Sequence, residues 1–211
     1  MKMNLFLDFD GTILDVSKRF YWVYQDILSA EKHNPLGEEE YLSLIRSGWK
    51  TKEILSETYD PNFIKFFHKE RIRRIESKEY LEMDKLIYSD VKNLLSRIRE
   101  NNQIYLITLR NNQENLSEQL KKFRLDKSFD GIFTGNMFGD YTEKTKLIRG
   151  EIKYTSRKDM IVGDTETDIR CGKEMGVRTV GVLSGLRNKQ FIEAERPDII
   201  IRDVSKLEEV L

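Results

Sequence analysis

Short apolar runs, spaced by amphipathic helical stretches, constrain this chain more than any other feature. Residues 3–9 (MNLFLDF), 103–109 (QIYLITL), 131–135 (GIFTG), 159–164 (DMIVGD), 177–183 (VRTVGVL) and 198–202 (DIIIR) read as strands. Their apolar residues are continuous rather than alternating, which marks strands covered on both faces. Helical patterns lie between them, among them DVKNLLSRIREN, NQENLSEQLKKF, EKTKLIRGEI and ETDIRCGKEMG. Strand–helix alternation of this kind predicts an α/β protein with a parallel sheet wound by right-handed crossovers.

One segment breaks the rhythm. From Val16 to Leu81 the sequence offers helices and no strand: SKRFYWVYQDILSAEKH, GEEEYLSLIR, KTKEILSET and one long run from Pro61 to Leu81. Pro35, Gly37 and Pro61 punctuate them, with Asp60 placed to cap a helix that starts at Pro61. The expected organisation is a core of residues 1–15 and 80–211 and an inserted helical cap of residues 16–79. The joints fall near 15–18 and 79–84.

The first strand ends in an unusual way. In LFLDFDGTILD, two carboxylates, Asp8 and Asp10, follow the apolar run directly and precede a glycine. Parallel sheets bind ligands beyond the carboxyl ends of their strands. Thr108 ends the second core strand and Asp164 the fourth, with Asp168 one helical turn later and Lys144 at the start of the preceding helix. All can converge on one crevice.

Like charges held a few ångström apart raise one another's pKa, and a divalent cation removes that conflict. Mg2+ takes hard oxygen ligands and commonly bridges to substrate phosphate. Asp8, the backbone carbonyl of Asp10, and Asp164 are the expected protein ligands, with Asp168 orienting the ion's water or an adjacent ligand. Thr108 and Lys144 suit phosphate oxygens, as a hydroxyl donor and a point charge. The amides of residues 9–11 can donate to the same group, and Gly11 permits close backbone approach. Thr12 and Leu109 complete the phosphate-binding candidates. Arg110 offers a second anion contact on the substrate, or a plain ion pair. Between the two lysines of EKTKL, Lys144 is preferred to Lys146 because it stands at the helix start.

Taken together, DFDGTILD, the strand-terminal threonine of LITLR, the lysine, and GDTETDIRCGKEMG resemble the four signature motifs of the haloacid dehalogenase-like hydrolase superfamily. The helical insertion resembles that superfamily's cap, and the phosphoglycolate phosphatase-like branch is the nearest in pattern. The resemblance implies a three-layer Rossmann-like core and a Mg2+-dependent phosphatase acting on a small phosphomonoester. Asp8 would form an aspartyl-phosphate. Asp10 would protonate the leaving group and then activate water, with a pKa above that of Asp8. Lys144 and Thr108 would hold the phosphoryl oxygens. The sequence departs from the family in two places: Leu109 and Arg110 follow Thr108 where a small or polar residue is common, and no proline follows the lysine.

Two other functions use similar residues. A phosphomutase on the same scaffold needs only slow hydrolysis of the aspartyl-phosphate. A phospho-acceptor signalling module shares the aspartates, threonine, lysine and Mg2+, but lacks the insertion and needs no proton donor two residues past the acceptor. A dehalogenase is disfavoured, because carbon–halogen displacement leaves Asp10 nothing to protonate.

Basic and acidic residues balance at 36 each, which gives no support to a nucleic-acid partner. No apolar run approaches the ~18 residues of a membrane span, and the N-terminus lacks the features of a signal peptide, so a cytoplasmic protein is expected. A monomer or a homodimer is expected. The single cysteine, Cys171, excludes an intramolecular disulfide and reads as a buried structural residue. His33 and His68 have no ligand-spaced partner, so a zinc site is not expected.

Overall fold

The computed structural model describes residues 2–137, 139–152 and 155–211. Six strands form one parallel sheet: β1 (Met3–Leu7), β4 (Asn102–Thr108), β5 (Gly131–Thr134), β6 (Met160–Gly163), β7 (Arg178–Val182) and β8 (Ile199–Ile201). Their spatial order is β5-β4-β1-β6-β7-β8. β1 lies in the middle, with Leu7 opposite Leu106 of β4 on one side and Val162 of β6 on the other. The chain departs to one side of β1 for β4 and β5 and to the other for β6 onward. The carboxyl ends of β1, β4 and β6 are therefore neighbours at the point where strand order reverses, where such sheets bind ligands.

Helices α6 (Val91–Asn101), α7 (Gln113–Lys122), α8 (Tyr141–Glu151) and α9 (Glu166–Met175) make the crossovers. The strands bury both faces. Leu5, Leu7, Leu106 and Val162 pack with Leu94, Leu95 and Ile98 of α6, while Phe6, Ile107 and Ile161 pack with Ile148 of α8 and Cys171 of α9. This is the three-layer α/β core that the continuous apolar runs imply. A short helix, α10 (Lys189–Ala194), and a terminal 3-10 turn at Val204–Glu209 were not evident in the sequence pattern.

The segment between β1 and α6 is helical: α1 (Ser17–Ala30), α2 (Glu38–Arg46), α3 (Thr51–Ser56), α4 (Pro61–Ile75) and α5 (Lys78–Leu81). It has a core of its own, built from Tyr24, Ile27, Leu28, Tyr41, Leu55 and Phe67, with Tyr24 and Tyr41 stacked at 4.3 Å between ring centroids. Asp60 caps α4 by accepting from the amides of Asn62 and Phe63, with Pro61 in the first turn.

Two features differ from the sequence reading. The helix expected to run from Pro61 to Leu81 breaks at Glu76. Its buried carboxylate turns outward to accept the amides of Asn111 and Asn112 at 3.0 and 2.7 Å, and its carbonyl accepts from Asn115. The two crossings between the sheet and the helical segment are also joined by a small antiparallel ladder. In it β2 (Leu14–Asp15) pairs with β3 (Lys85–Leu86). No helix among the described residues is long and apolar enough to cross a membrane.

Candidate active site

Asp8 is the first residue past β1, and its amide is tied to the Val162 carbonyl of β6 at 2.9 Å. The chain then turns at Gly11, whose φ of +85° suits glycine. A side chain there would also stand 2.2 Å from Asp164 Oδ2. The turn lets the loop lie against the end of β6 and sets Asp8 beside Asp164. Gly163 plays the matching part on β6, since a Cβ there would collide with Asp168 at 2.0 Å.

Asp168 lies in the first turn of α9 and closes a capping box. Its Oδ2 accepts from the Thr165 amide at 3.2 Å and the Thr165 hydroxyl at 2.8 Å. Its Oδ1 accepts from Lys144 Nζ at 2.5 Å. Lys144, in the first turn of α8, also reaches Asp8 Oδ1 at 2.5 Å. The helix start is fixed by Asp140, which accepts from the amide and hydroxyl of Thr142. Lys144 is buried against Asp8 and Asp168, whereas Lys146 faces solvent.

Carboxylate oxygens of Asp8, Asp164 and Asp168 lie within 4.8 Å of one another, although the residues are up to 160 positions apart. Two ligands on opposite sides of a Mg2+ ion stand about 4.2 Å apart, so these oxygens match the reach of one ion with little movement. Asp164 supplies the clearest test of fit. Its Oδ2 accepts from the Leu186 amide at 2.6 Å, while its Oδ1 is buried without a partner among the described residues. A buried carboxylate oxygen facing two other carboxylates is poorly stabilised unless a cation joins them. The donor set fits a hard divalent ion.

The protonation pattern follows from this crowding. Burial lifts Asp8 to about 7, with Lys144 pulling down and Asp168 pushing up. Burial, then Asp8 and Asp168, raise Asp164 well above the usual carboxylate range. Burial alone would lower Lys144, but Asp168 and Asp8 outweigh it and hold the ammonium firmly charged.

Asp10 sits in different company. Its carboxylate receives Arg19 Nη2 at 2.8 Å and Arg110 Nε at 2.9 Å, with a further contact from Arg110 Nη2. Arg19 also bonds Asp84 at 3.1 Å and the Ile75 carbonyl at 3.1 Å. Gln119 closes the circuit, accepting from Arg110 at 2.5 Å and donating to Asp84 at 2.8 Å. Burial pushes Asp10 upward, but Arg110 and Arg19 overcome it and hold the group well below the usual range.

Three expectations change here. The order of pKa values is the reverse of the one expected: without a cation Asp8 is raised by burial among acids, while Asp10 is depressed by two guanidiniums. Arg110 is not presented to a substrate. It is 3% exposed and committed to Asp10 and Gln119, the ion-pair alternative. The Gly11 amide does not point at a phosphate either, because it donates to the Leu14 carbonyl at 2.7 Å, the bond that forms the turn. The Asp10 side chain is engaged by Arg19 and Arg110 and is not one of the three carboxylates that cluster.

Of the other candidates, Thr108 is buried at the end of β4 and Leu109 half-buried beside it. Thr12 is fully buried, with its hydroxyl unpartnered among the described residues. The sequence reading missed Arg19, Asp84 and Gln119. Arg19 carried a signal, since it falls on the same helix stripe as the buried Val23 and Ile27, where an uncompensated charge is costly. The loop after β7 was missed as well. Ser184 donates to the Gly11 carbonyl at 3.2 Å. Arg187 pairs with Glu166 at 2.9 Å and donates to the Ile45 carbonyl at the end of α2, at 2.9 Å.

A cleft of about 490 Å³ opens between the helical segment and the sheet. Phe20, Trp49, Phe67 and Arg71 form one side. Asp140, Tyr141, Glu166 and Thr167, in the first turns of the helices that carry Lys144 and Asp168, form the other.

The haloacid dehalogenase-like hydrolase family matches residues 5–182, and the chain belongs to that family. Among its relatives, a phosphoglycolate phosphatase of Aquifex aeolicus is 28% identical over 202 residues, covering 88% of this chain and 86% of the relative. A pyrophosphatase PpaX of Bacillus cereus is 23% identical, covering 100% of this chain and 97% of the relative. A haloacid dehalogenase-like family hydrolase of Streptococcus pneumoniae shares the fold with a TM-score of 0.80 at 15% identity, over 99% of this chain and 97% of that one.

Proposed function

We propose that this hydrolase is a Mg2+-dependent phosphatase that moves the phosphoryl group of a small phosphorylated metabolite first to Asp8 and then to water. The observation that carries this reading is the meeting of Asp8, Asp164 and Asp168 within 4.8 Å, with Lys144 bonded to two of them. The names of the relatives, a phosphoglycolate phosphatase and a pyrophosphatase, support a small phosphorylated substrate.

Asp8, the Asp10 carbonyl and Asp164 would hold the ion, and Asp168 would steady its surroundings through Lys144. When bound, the ion supplies positive charge between the Asp8 carboxylate and the anionic substrate. Asp8 attacks phosphorus as the ionised carboxylate. Lys144 Nζ, already against Asp8 Oδ1, stabilises charge on the transferring phosphoryl oxygens, and the Thr108 hydroxyl donates to them. Asp10 gives its proton to the leaving oxygen and later takes one from water. It can do so only after parting from one guanidinium, and Arg19 is the candidate to withdraw, being bonded to the helical segment at Ile75 as well. Residues 16–79 then act as a cap whose movement excludes water and frees Asp10.

Phosphate release from small phosphate esters is expected with Mg2+ and not without it. Asp10→Asn is expected to slow alkyl phosphates about 100-fold or more while slowing nitrophenyl phosphate far less, because a good leaving group needs no proton. Equal losses on both would remove the acid from Asp10.

Ion binding should also depend on pH. Between about pH 4, the ordinary carboxylate range, and about pH 7, the folded metal-free protein keeps a proton on Asp8 that the unfolded chain has released. Stability of the metal-free protein therefore falls as pH rises through that window. A cation must displace the protons held on Asp8 and Asp164, so its affinity rises with pH through that window. The Mg2+-induced increase in melting temperature is expected to be small near pH 5.5 and large near pH 7.5. A shift of equal size at both would contradict binding among these carboxylates.

A further inference from the structure

The cleft wall contains five cationic side chains, Lys50, Lys52, Arg71, Arg170 and Arg187, against two acids, Asp140 and Glu166. Most are already accounted for. Arg187 is paired with Glu166, Arg170 with Glu195, and Asp140 caps α8. Lys50 and Lys52 are exposed to solvent.

Arg71 is different. It projects from α4, is half-buried, and has no carboxylate within ion-pair distance among the described residues. Its guanidinium lies over the Phe20 ring at 5.3 Å, and the guanidinium of Arg19 lies 5.6 Å from the centroid of the same ring. Arg19 in turn touches Asp10. Arg71 thus stands one aromatic ring from Arg19, the partner of the group proposed to face the leaving oxygen, on the cleft side of the helical segment. Burial and then the neighbouring Arg19 disfavour its charge, and no carboxylate among the described residues pairs with it. His68, also in the cleft, is held below its usual range by burial and then by Arg71 and Lys52.

We infer that Arg71 receives a second anionic group on the leaving portion of the substrate, so that the preferred substrates carry an oxyanion besides the phosphoryl group transferred. The anion is a carboxylate or a second phosphate; a planar guanidinium donates to either in bidentate fashion. This deepens the phosphatase reading and rests on it. Arg71 is a specificity residue, selecting what is bound.

The test separates binding from turnover. In Asp8→Asn protein with Mg2+, titration calorimetry is run with 2-phosphoglycolate, inorganic pyrophosphate and ethyl phosphate, and repeated with Arg71→Gln and Arg71→Lys added. Arg71→Gln is expected to weaken one or both doubly charged ligands by about 10- to 100-fold, and ethyl phosphate by a clearly smaller factor. Arg71→Lys should recover part of the difference, because it restores the charge without the fork. The ligand that loses more identifies the anion as carboxylate or phosphate. Melting curves of the variants show whether they are folded. An equal loss on all three ligands, no loss, or no preference of the parent protein for the doubly charged pair would overturn the inference. The phosphatase reading fails separately, if the wild-type protein releases no phosphate with Mg2+.

Discussion

Asp8→Asn protein is expected to release phosphate at least on the order of 10⁴-fold more slowly than the wild type, with every ester tested. An amide is a poor nucleophile, and no other group stands in the same place: Asp164 and Asp168 lie beside Asp8 but are tied to the Leu186 amide, Thr165 and Lys144. The substitution removes one carboxylate from a buried group of three, so it relieves repulsion. The variant should therefore fold at least as well as the wild type above about pH 7, where Asp8 would otherwise be ionised among acids. That combination, a silent enzyme with an undiminished melting temperature, distinguishes a reacting group from a structural one. Activity comparable to the wild type would place the attacking group elsewhere.

The second large effect concerns stability. Arg19→Met is expected to destabilise the fold by about 3–5 kcal/mol, on the order of 10 °C in melting temperature for a chain of this length. Arg19 is 1% exposed, and its removal strands Asp84, whose side chain is wholly buried, without its main counter-charge. Asp84 is already lifted to about 6 by burial despite Arg19. Asp10 keeps Arg110 and is less affected. Adding Asp84→Leu to Arg19→Met should restore part of the loss, because the pair is then replaced by apolar groups instead of being broken. Chemical denaturation of the two single variants and the double variant measures this. Additive losses would mean that Arg19 and Asp84 are not coupled.

The two predictions draw on parts of the molecule that were unequally legible in the sequence. Asp8, Lys144, Asp164 and Asp168 could be placed together because each follows a strand or opens a helix, and parallel winding sends all such ends to one edge. The strands themselves were legible because both faces are apolar, as Leu5 and Phe6 illustrate by packing on opposite sides of the sheet. The order of strands was not legible, because contiguous apolar runs do not name their neighbours.

The circuit of Asp10, Arg19, Asp84, Gln119 and Arg110 was beyond reach for another reason. Its members come from the loop after β1, from α1, from the turn before β3, from the loop after β4 and from α7, and Arg110 lies 100 positions from Asp10. No local period or spacing records such a meeting. The same holds for the β2–β3 ladder, whose two-residue strands are too short to show alternation. The break at Glu76 was hidden because Ser77 alone hints at a new helix start, and the amides of Asn111 and Asn112, distant in sequence, draw the Glu76 carboxylate away. Gly11 shows the limit of motif reasoning. A glycine after the acidic pair suggested an amide aimed at phosphate, yet that amide closes the turn and the missing side chain makes room for Asp164.

The proposed chemistry requires acids at the ends of β1 and β6 to share one cation. Crystals soaked in Mn2+, a stand-in for Mg2+ with a usable anomalous signal, examine that directly. The account predicts a single strong peak bounded by Asp8 and Asp164, absent from Asp164→Asn crystals; a peak at other residues, or none at millimolar Mn2+, would contradict it.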